Sequence, residues 1–194
     1  MRHWLFHPLI FYPLAVLFAA FVVAVSLRPQ SWPREPAPVS AVRDGEWLVF
    51  QGESFSTPAP DVAQEMTVMR DFLGRAERLR IAQKPELPPP TPEQDGARIL
   101  LSEADSALLS GRPVIVEVSY NPLPVNAASG LAVSLRGDGV STWVSQPAPS
   151  QPATLRFRLP ALNTVNAIGL RALTSENEQA YGLEITRIRV SPHT

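Results

Sequence analysis

The stretch Val114-Ile115-Val116-Glu117-Val118-Ser119-Tyr120 decides the fold class of this chain. Val114, Val116, Val118 and Tyr120 occupy every second position and alternate with residues that include Glu117 and Ser119. Successive side chains of a β-strand point to opposite faces of the sheet, so this period of two predicts a strand with one firmly apolar face.

The same alternation recurs along much of the chain. Further strands are predicted at residues 46–50, 131–136, 140–144, 155–159, 168–172 and 181–190, and short apolar runs lie at 99–101 and 107–109. Gly137-Asp138-Gly139 is expected to supply positive-φ residues for a tight reversal. The apolar parity shifts between Ile185 and Ile188, which a β-bulge explains. Together these patterns predict a mainly β chain folded as an antiparallel β-sandwich.

Residues 61–81 predict one short additional helix. Asp61 followed by Gln64 resembles a capping box, and apolar residues recur at helical spacing as far as Ile81, although Gly74 weakens the middle. The stretch is locally basic through Arg70, Arg75, Arg78, Arg80 and Lys84. A solvated helix face is the favoured interpretation of these charges, and contact with a partner or with anionic lipid headgroups is the alternative.

Two stretches carry a resemblance to a known family. Residues 108–118, Leu-Leu-Ser-Gly-Arg-Pro-Val-Ile-Val-Glu-Val, resemble a strand of the galactose-binding-like jelly rolls, which include carbohydrate-binding modules, and residues 183–190 look like their last strand. The resemblance covers about residues 96–191 and implies a binding module whose loops engage glycans or other ligands. Thr186 stands where many of these domains have an acidic residue, so the resemblance implies no metal contact there.

The N-terminal apolar run, Trp4 to Leu27, predicts a single transmembrane anchor. Residues 9–27 carry no charge, and about 20 residues at a rise of ~1.5 Å match a hydrocarbon core of ~30 Å. Ala24 and Ser26 would also suit a cleaved signal, but the run exceeds the ~7–15 apolar residues of a signal peptide. Small residues at four-residue spacing, which would let a second helix approach closely, are Ala15, Ala19, Ala20 and Ala24.

The composition predicts three segments. Residues 1–27 form the anchor, 28–44 a Pro-rich spacer, and 45–194 one sandwich domain, with 45–95 as strand, helix and Pro-rich connector and 96–191 as the main sandwich. A true boundary within the connector would make residues 45–84 a separate subdomain. The positive charges that flank the anchor do not settle its orientation. We expect a single-pass protein of the cell membrane with an extracytoplasmic, periplasmic C-terminal domain, because the N-terminal tail is short.

The charge of the sandwich segment excludes one class of partner. Residues 45–194 contain 13 Lys+Arg and 16 Asp+Glu, a formal charge of −3, so no basic field indicates nucleic acid. The chain has no Cys, which excludes disulfides and thiolate metal sites. The expected partners are the lipid bilayer, a membrane or envelope protein, and a glycan.

Candidate contact residues are aromatic or cationic. Trp143, Tyr120 and Tyr181 offer aromatic rings that suit sugars and proteins alike, with a place in the core as the alternative for each. Two pairs of arginines each share a strand face and suit a carboxylate or phosphate: Arg156 with Arg158, and Arg187 with Arg189. A solvated outer face is the competing interpretation of these pairs.

The residue inventory disfavours an enzyme. His3, His7 and His193 lie outside the predicted strands, which removes a Ser/His dyad and the usual zinc ligands. The remaining acids that suit glycosidase chemistry are Glu103 with Asp105, Glu176 with Glu178, and Glu117. We expect no cofactor and no metal. The leading hypothesis is an envelope-facing, non-catalytic binding or scaffold protein, followed by a glycan-binding module and then by a carboxylate-dependent glycan-modifying enzyme.

Overall fold

The computed structural model describes residues 7–27, 34–60, 64–83, 96–174 and 182–193. The chain divides into two compact units, Met1–Pro33 and Arg34–Thr194. The predicted contact residue Tyr181, the acids Glu176 and Glu178, and the Pro-rich connector at 85–92 lie outside the described residues.

The first unit contains helix α1, Pro8–Leu27. It begins at Pro8, where the missing N–H of proline costs no helical hydrogen bond. Its 20 residues span about 30 Å. By length and composition the helix can cross a membrane, and its side chains from Phe11 to Ser26 are exposed. The predicted apolar helix is therefore confirmed as a helix.

The second unit consists of two antiparallel sheets and a short helix among its described residues. Its elements are β1 (Val42–Asp44), β2 (Trp47–Gln51), β3 (Gln64–Arg70), β4 (Ala76–Gln83), β5 (Ala97–Leu100), α2 (Glu103–Leu109), β6 (Val114–Pro122), β7 (Gly130–Gly137), β8 (Val144–Pro147), β9 (Ala153–Leu159), β10 (Val165–Leu173) and β11 (Gly182–Pro192). A 3₁₀ turn, Gly52–Phe55, follows β2.

The larger sheet is built around β11. On one side β11 pairs with β6, which pairs with β9. On its other side β11 pairs first with β4 and then with β2, and β3 and β1 extend those two strands outward. The smaller sheet has the order β5-β10-β7-β8. The strands β2, β3 and β4 thus share a sheet with β6, β9 and β11. This pairing argues against residues 45–84 as a separate subdomain.

The core lies between the two sheets. The alternate residues that the sequence marks as apolar are fully buried, and the largest of them include Phe50, Leu79, Phe157, Ile99, Leu135 and Ile168. They belong to one cluster that draws on both sheets. The predicted antiparallel β-sandwich is therefore confirmed, because the period of two places one face of each sheet in this cluster.

The helix predicted over 61–81 is wrong. Residues 64–83 form the β3–β4 hairpin, in which Met66 pairs with Ile81 and Gly74 adopts a φ of 80° in the turn. Met66 fits both a helical period and a period of two, and it packs against the core as a strand residue. The glycine expected to weaken a helix instead supplies the left-handed residue of the turn.

A short helix occurs elsewhere, in a stretch expected to lack one. Ser102 caps α2: its hydroxyl accepts from the Asp105 backbone N–H (3.3 Å) and donates to Asp105 Oδ2 (2.8 Å). The Ser-x-x-Asp spacing is a capping signal in the sequence that indicates the start of a helix. The apolar run at 107–109 favoured a strand in its place. Asp105 is buried and also accepts from the Ala41 N–H at 2.9 Å.

Residues 34–44 are part of the folded body, although the sequence suggested a spacer. The Val39 N–H donates to the Leu100 carbonyl, and the Ser102 N–H donates to the Val39 carbonyl. Residues 42–44 form β1. Four prolines in 28–44 suggested an extended chain without hydrogen-bond partners. Extended backbone also presents N–H and carbonyl groups, however, and those of residues 37–44 form hydrogen bonds with the folded unit.

The chain reverses at Gly137-Asp138-Gly139 as predicted, because Arg136 and Val140 form an antiparallel bridge across these residues. Neither glycine has the predicted positive φ, and the chain continues to residue 143 before β8 begins. Gly137 is required for a close approach, because a Cβ there would lie 1.6 Å from the Thr164 carbonyl oxygen. The strand predicted at 140–144 accordingly begins only at Val144.

Candidate binding surface

The outer face of the larger sheet brings together six arginines. We name this surface the arginine face and define it by Arg78, Arg80, Arg156, Arg158, Arg187 and Arg189. Each lies on β4, β9 or β11, at positions that alternate with buried core residues such as Leu79 and Phe157. Both arginine pairs predicted from the sequence therefore lie on one surface, separated only by β6.

A β-bulge in β11 is what turns Arg187 and Arg189 outward. The register with β6 shifts between Ile185 and Arg187, and the Thr186 hydroxyl donates to the Ser119 carbonyl at 3.1 Å. Without the extra residue, the strand's alternation would direct these arginines into the core. The predicted bulge is thus confirmed, and it is a feature that builds the surface.

Glu117 links the two pairs across β6. Its carboxylate accepts a hydrogen bond from Arg189 Nη1 at 3.2 Å and lies 3.8 Å from Arg156 Nε. On the far side, Arg189 Cζ lies 4.4 Å from the centroid of the Trp47 ring, a cation–π contact. The row Trp47, Arg189, Glu117 and Arg156 fixes the guanidinium groups in place. The sequence alone does not identify Trp47 as part of this surface, because its partner Arg189 comes from a distant strand.

Glu184 neutralises the other end of the face. It accepts from Arg80 Nη2 at 2.5 Å and from Arg78 Nη1 at 3.0 Å. The hydrogen bond from Arg80, followed by that from Arg78, lowers the pKa of Glu184 although its burial opposes the shift. This carboxylate is therefore ionised at neutral pH and acts as a structural tie between β4 and β11.

Arg158 and Arg187 carry charges that no carboxylate of the described residues neutralises. Arg187 Nε donates to the Gln51 side chain at 3.1 Å, and both arginines are exposed. On β4, β6, β9 and β11, the outer face carries six arginines against Glu117 and Glu184, a net charge of +4. Asp44, opposite Trp47 on β1, and Glu65, opposite Ala82 on β3, lie on the same face and reduce its net charge to +2. This positive surface lies on a segment whose total formal charge is negative, so the positive charge is concentrated there.

The predicted aromatic contacts have different positions. Tyr120 is buried at 2% exposure, and its hydroxyl donates to the Pro149 carbonyl at 2.9 Å. Burial raises the pKa of Tyr120. Trp143 packs against Gly96 and Gly169 of the smaller sheet, with Arg136 Cζ 5.0 Å from its ring centroid. Tyr120 therefore lies in the core, which was its alternative, whereas Trp143 is half-buried and its role as a contact residue stays a prediction.

The structure describes three of the candidate acids, Glu103, Asp105 and Glu117. Asp105 accepts a hydrogen bond from the Ser102 hydroxyl that caps α2, Glu117 is paired with two arginines, and Glu103 is exposed on α2. Within the described ranges, no three His, Asp or Glu side chains come close enough to hold a metal ion. These positions give each acid a structural or solvated role.

A pocket of about 300 Å³ lies near the end of β11. Arg43, Glu46, Leu48, Arg112 and Ser191 are among its lining residues. That volume is at the lower end of the range for small-molecule sites.

Comparisons with known proteins give fold-level matches alone. No protein-family model matches the chain, and no curated protein matches it. Carbohydrate-binding modules are among the solved structures that match. One is CBM6cm-2 from Cellvibrio mixtus lichenase 5A in complex with cellotriose, with 13% identity, a TM-score of 0.39, and coverage of 75% of this chain and 97% of that one.

Two further matches have slightly higher TM-scores. BiXyn10A CBM1 in its apo form has 9% identity, a TM-score of 0.45, and coverage of 75% and 99%. The CBM22-1–CBM22-2 tandem of Paenibacillus barcinonensis Xyn10C has 16% identity, a TM-score of 0.45, and coverage of 80% and 49%. All three TM-scores are below 0.5, so these matches assign neither a ligand nor a binding surface to this chain.

Proposed function

We propose that this chain is a membrane-anchored, non-catalytic module that binds an acidic glycan on its arginine face. The observation that carries the proposal is a pair of exposed arginines, Arg158 and Arg187, that have no carboxylate partner among the described residues and lie on a face with a net charge of +2. Guanidinium groups form strong, directed hydrogen bonds with carboxylates and phosphates. Helix α1 would hold the module at the bilayer, with the sandwich on the extracytoplasmic side.

The remainder of the face favours a hydroxyl-rich polymer over a protein. Between the arginines lie Ser119, Thr154 and Gln51, whereas the apolar residues Val49 and Ile115 are buried. The centre of a protein interface is usually depleted of charge and rich in apolar and aromatic side chains. Trp47 contributes an aromatic ring to the arginine face, and this ring can stack against one side of a sugar ring.

The spacing of the cations suits an extended ligand with repeated acidic groups. Arg156 and Arg158 are two residues apart on one strand, or about 7 Å, and β9 lies about 10 Å from β11 across β6. A single small anion would contact one arginine, while a polymer with repeated carboxylates would contact several. An acidic protein surface that uses the same arginines is the second candidate, and it corresponds to the scaffold role.

The test uses residues 34–194 and three ligands with related chemistry. Polygalacturonate presents carboxylates, its methyl ester presents the same backbone without charge, and poly-glutamate presents carboxylates without sugar. The proposal predicts binding of polygalacturonate that exceeds binding of the ester and of poly-glutamate by about tenfold or more, which is about 1.4 kcal/mol. Equal binding of the acid and the ester would contradict the arginine-face proposal, and preference for poly-glutamate would favour the protein partner.

A further inference from the structure

The turn of the β3–β4 hairpin presents two adjacent apolar side chains to solvent. We name residues Asp71–Arg75 the hairpin tip. Phe72 is 94% exposed and Leu73 is 62% exposed. The fold buries neither side chain, so their apolar surface stays in water. This exposure is unfavourable by roughly 25 cal/mol per Å² of apolar surface. Two such residues side by side on a projecting turn indicate a contact with an apolar partner.

The hairpin tip is held in one conformation by its own hydrogen bonds. Asp71 Oδ1 accepts from the backbone N–H groups of Leu73 (2.9 Å) and Arg75 (2.8 Å). Gly74 takes the left-handed conformation, and Arg70 Nη1 donates to its carbonyl at 3.1 Å. The tip is therefore preorganised, so little conformational entropy is lost when Phe72 and Leu73 enter a partner.

The base of the hairpin lies against the beginning of the folded unit. Glu53 Oε1 accepts from the Ala76 N–H at 2.8 Å, and Arg34 Nη1 lies 4.0 Å from Glu53 Oε2. Arg70 Nη2 donates to the Ser56 carbonyl in the same region. Arg34 is the first residue of this unit, and six residues, 28–33, precede it after Leu27. By chain length alone, six residues cover at most about 22 Å.

The charges around the tip suit an anionic surface. Arg70 and Arg75 flank Phe72 and Leu73, and Asp71 is the one acid within 70–75, which leaves a net positive charge. Basic side chains beside an apolar insertion are attracted by anionic lipid headgroups. The short chain length of the tether between α1 and Arg34 limits how far the base of this hairpin can lie from a bilayer that α1 would span.

We propose that the hairpin tip inserts Phe72 and Leu73 into the headgroup region of the bilayer, as a second membrane contact besides α1. The proposal rests on the membrane anchoring given under Proposed function. It commits to lipid as the occupant, because the tether length and the flanking arginines both indicate the membrane surface.

The test places a single reporter on the full chain, which has no cysteine of its own. Phe72→Cys and Val125→Cys are each labelled with an environment-sensitive fluorophore. The protein is then reconstituted into phosphatidylcholine vesicles containing one quarter phosphatidylglycerol. Val125 is the matched control, because it is 72% exposed and precedes Asn126, whose carbonyl accepts from Gly182 at the opposite end of β4.

We expect nitroxide-labelled lipids to quench the label at position 72 by at least about threefold more than the label at position 125. Equal quenching at both positions, with the protein retained after an alkaline carbonate wash, overturns the insertion while the anchor stands. Loss of the protein in that wash overturns both. A position-72 label that is shielded in native membranes and exposed in lipid vesicles would also overturn it and would indicate a protein occupant.

A second variant separates this contact from ligand binding. Phe72→Ser with Leu73→Ser removes the apolar tip at positions that contribute no core packing, and polygalacturonate binding by the arginine face should equal that of the wild type. The double variant should lower the vesicle-bound fraction of a chain whose α1 is replaced by a soluble tag by about tenfold. Unchanged vesicle binding would contradict the insertion, whatever the result with the glycan.

Discussion

Replacing Glu117 with Gln is predicted to reduce stability and to strengthen binding of an acidic ligand at the same time. Glu117 touches Arg189, whose side chain is 29% exposed, and Arg156, whose side chain is 56% exposed. The amide keeps a hydrogen-bond acceptor but loses the charge. Solvent screens the pair with Arg156 to at most ~1 kcal/mol, so a total loss of about 1 kcal/mol is expected.

The binding effect has the opposite sign because one negative charge leaves the arginine face. Its net charge rises from +2 to +3, and Arg156 and Arg189 become available to the ligand. We expect a two- to fivefold gain in affinity for polygalacturonate at low salt, which is about 0.4–1 kcal/mol.

Two measurements on residues 34–194 check this prediction. With a urea m-value of about 2 kcal/mol per M, a loss of 1 kcal/mol lowers the unfolding midpoint by about 0.5 M. Titration with polygalacturonate at low and high salt gives the affinity. A variant that is less stable and also binds more weakly would refute the reasoning, because Glu117 would then be needed to position the site and would not compete with the ligand.

Three further predictions concern the fold. Gly137→Ala should reduce the unfolding free energy by at least about 3 kcal/mol, because the added Cβ would clash with the Thr164 carbonyl. Gly139→Ala should change it by less than about 0.5 kcal/mol, because no atom lies within 4 Å of a Cβ at that position. Urea unfolding of both variants checks this prediction. A fragment that begins at residue 45 should be about 3 kcal/mol less stable than one that begins at residue 34, since it lacks the hydrogen bonds of residues 37–41, and thermal unfolding of both would show it. The pKa of Glu184 is lowered in the folded state, so its contribution to stability is present above its ordinary value of 4.5 and is lost as the pH falls through the folded value; Glu184→Gln should show a weaker loss of stability below pH 4.5 than the wild type.

The strands could be predicted because their signal is local. Alternation along 114–120 records which side chains face the core, and β6 is buried in that pattern. The β3–β4 hairpin was mistaken for a helix because Met66 satisfies both periods and because Phe72 and Leu73 are apolar without being buried. An apolar residue at a turn violates the assumption that apolar periodicity reports burial.

The site could be predicted only in part, because it depends on which strands become neighbours. The sequence indicates that Arg156 and Arg158 share a strand face, and likewise Arg187 and Arg189. It does not indicate that β6 lies between the two strands or that Glu117 would connect them. Trp47 was missed for the same reason, since its contact with Arg189 spans most of the chain. Strand order is set by the global packing of the sandwich, which local patterning does not encode.

The exposure of the candidate aromatic residues could likewise not be predicted from local sequence patterns alone. Alternation assigns Tyr120 to the apolar face of β6, where it is buried. Trp143 lies in a connection, and its position depends on the absence of a side chain at Gly96 and Gly169. Whether a ring lies on a surface or under a loop follows from tertiary contacts, so these residues could be named from the sequence but not placed.

The most direct test of binding at the arginine face measures polygalacturonate affinity after removal of the two arginines that have no carboxylate partner in the described part of the chain. Residues 34–194 with Arg158→Gln and Arg187→Gln are compared with an Arg98→Gln control, which removes an exposed arginine from the smaller sheet. The account predicts an affinity about tenfold lower for the double variant, with a weaker salt dependence, and unchanged affinity for the control. Equal losses in both variants, or no loss in either, would contradict binding at the arginine face.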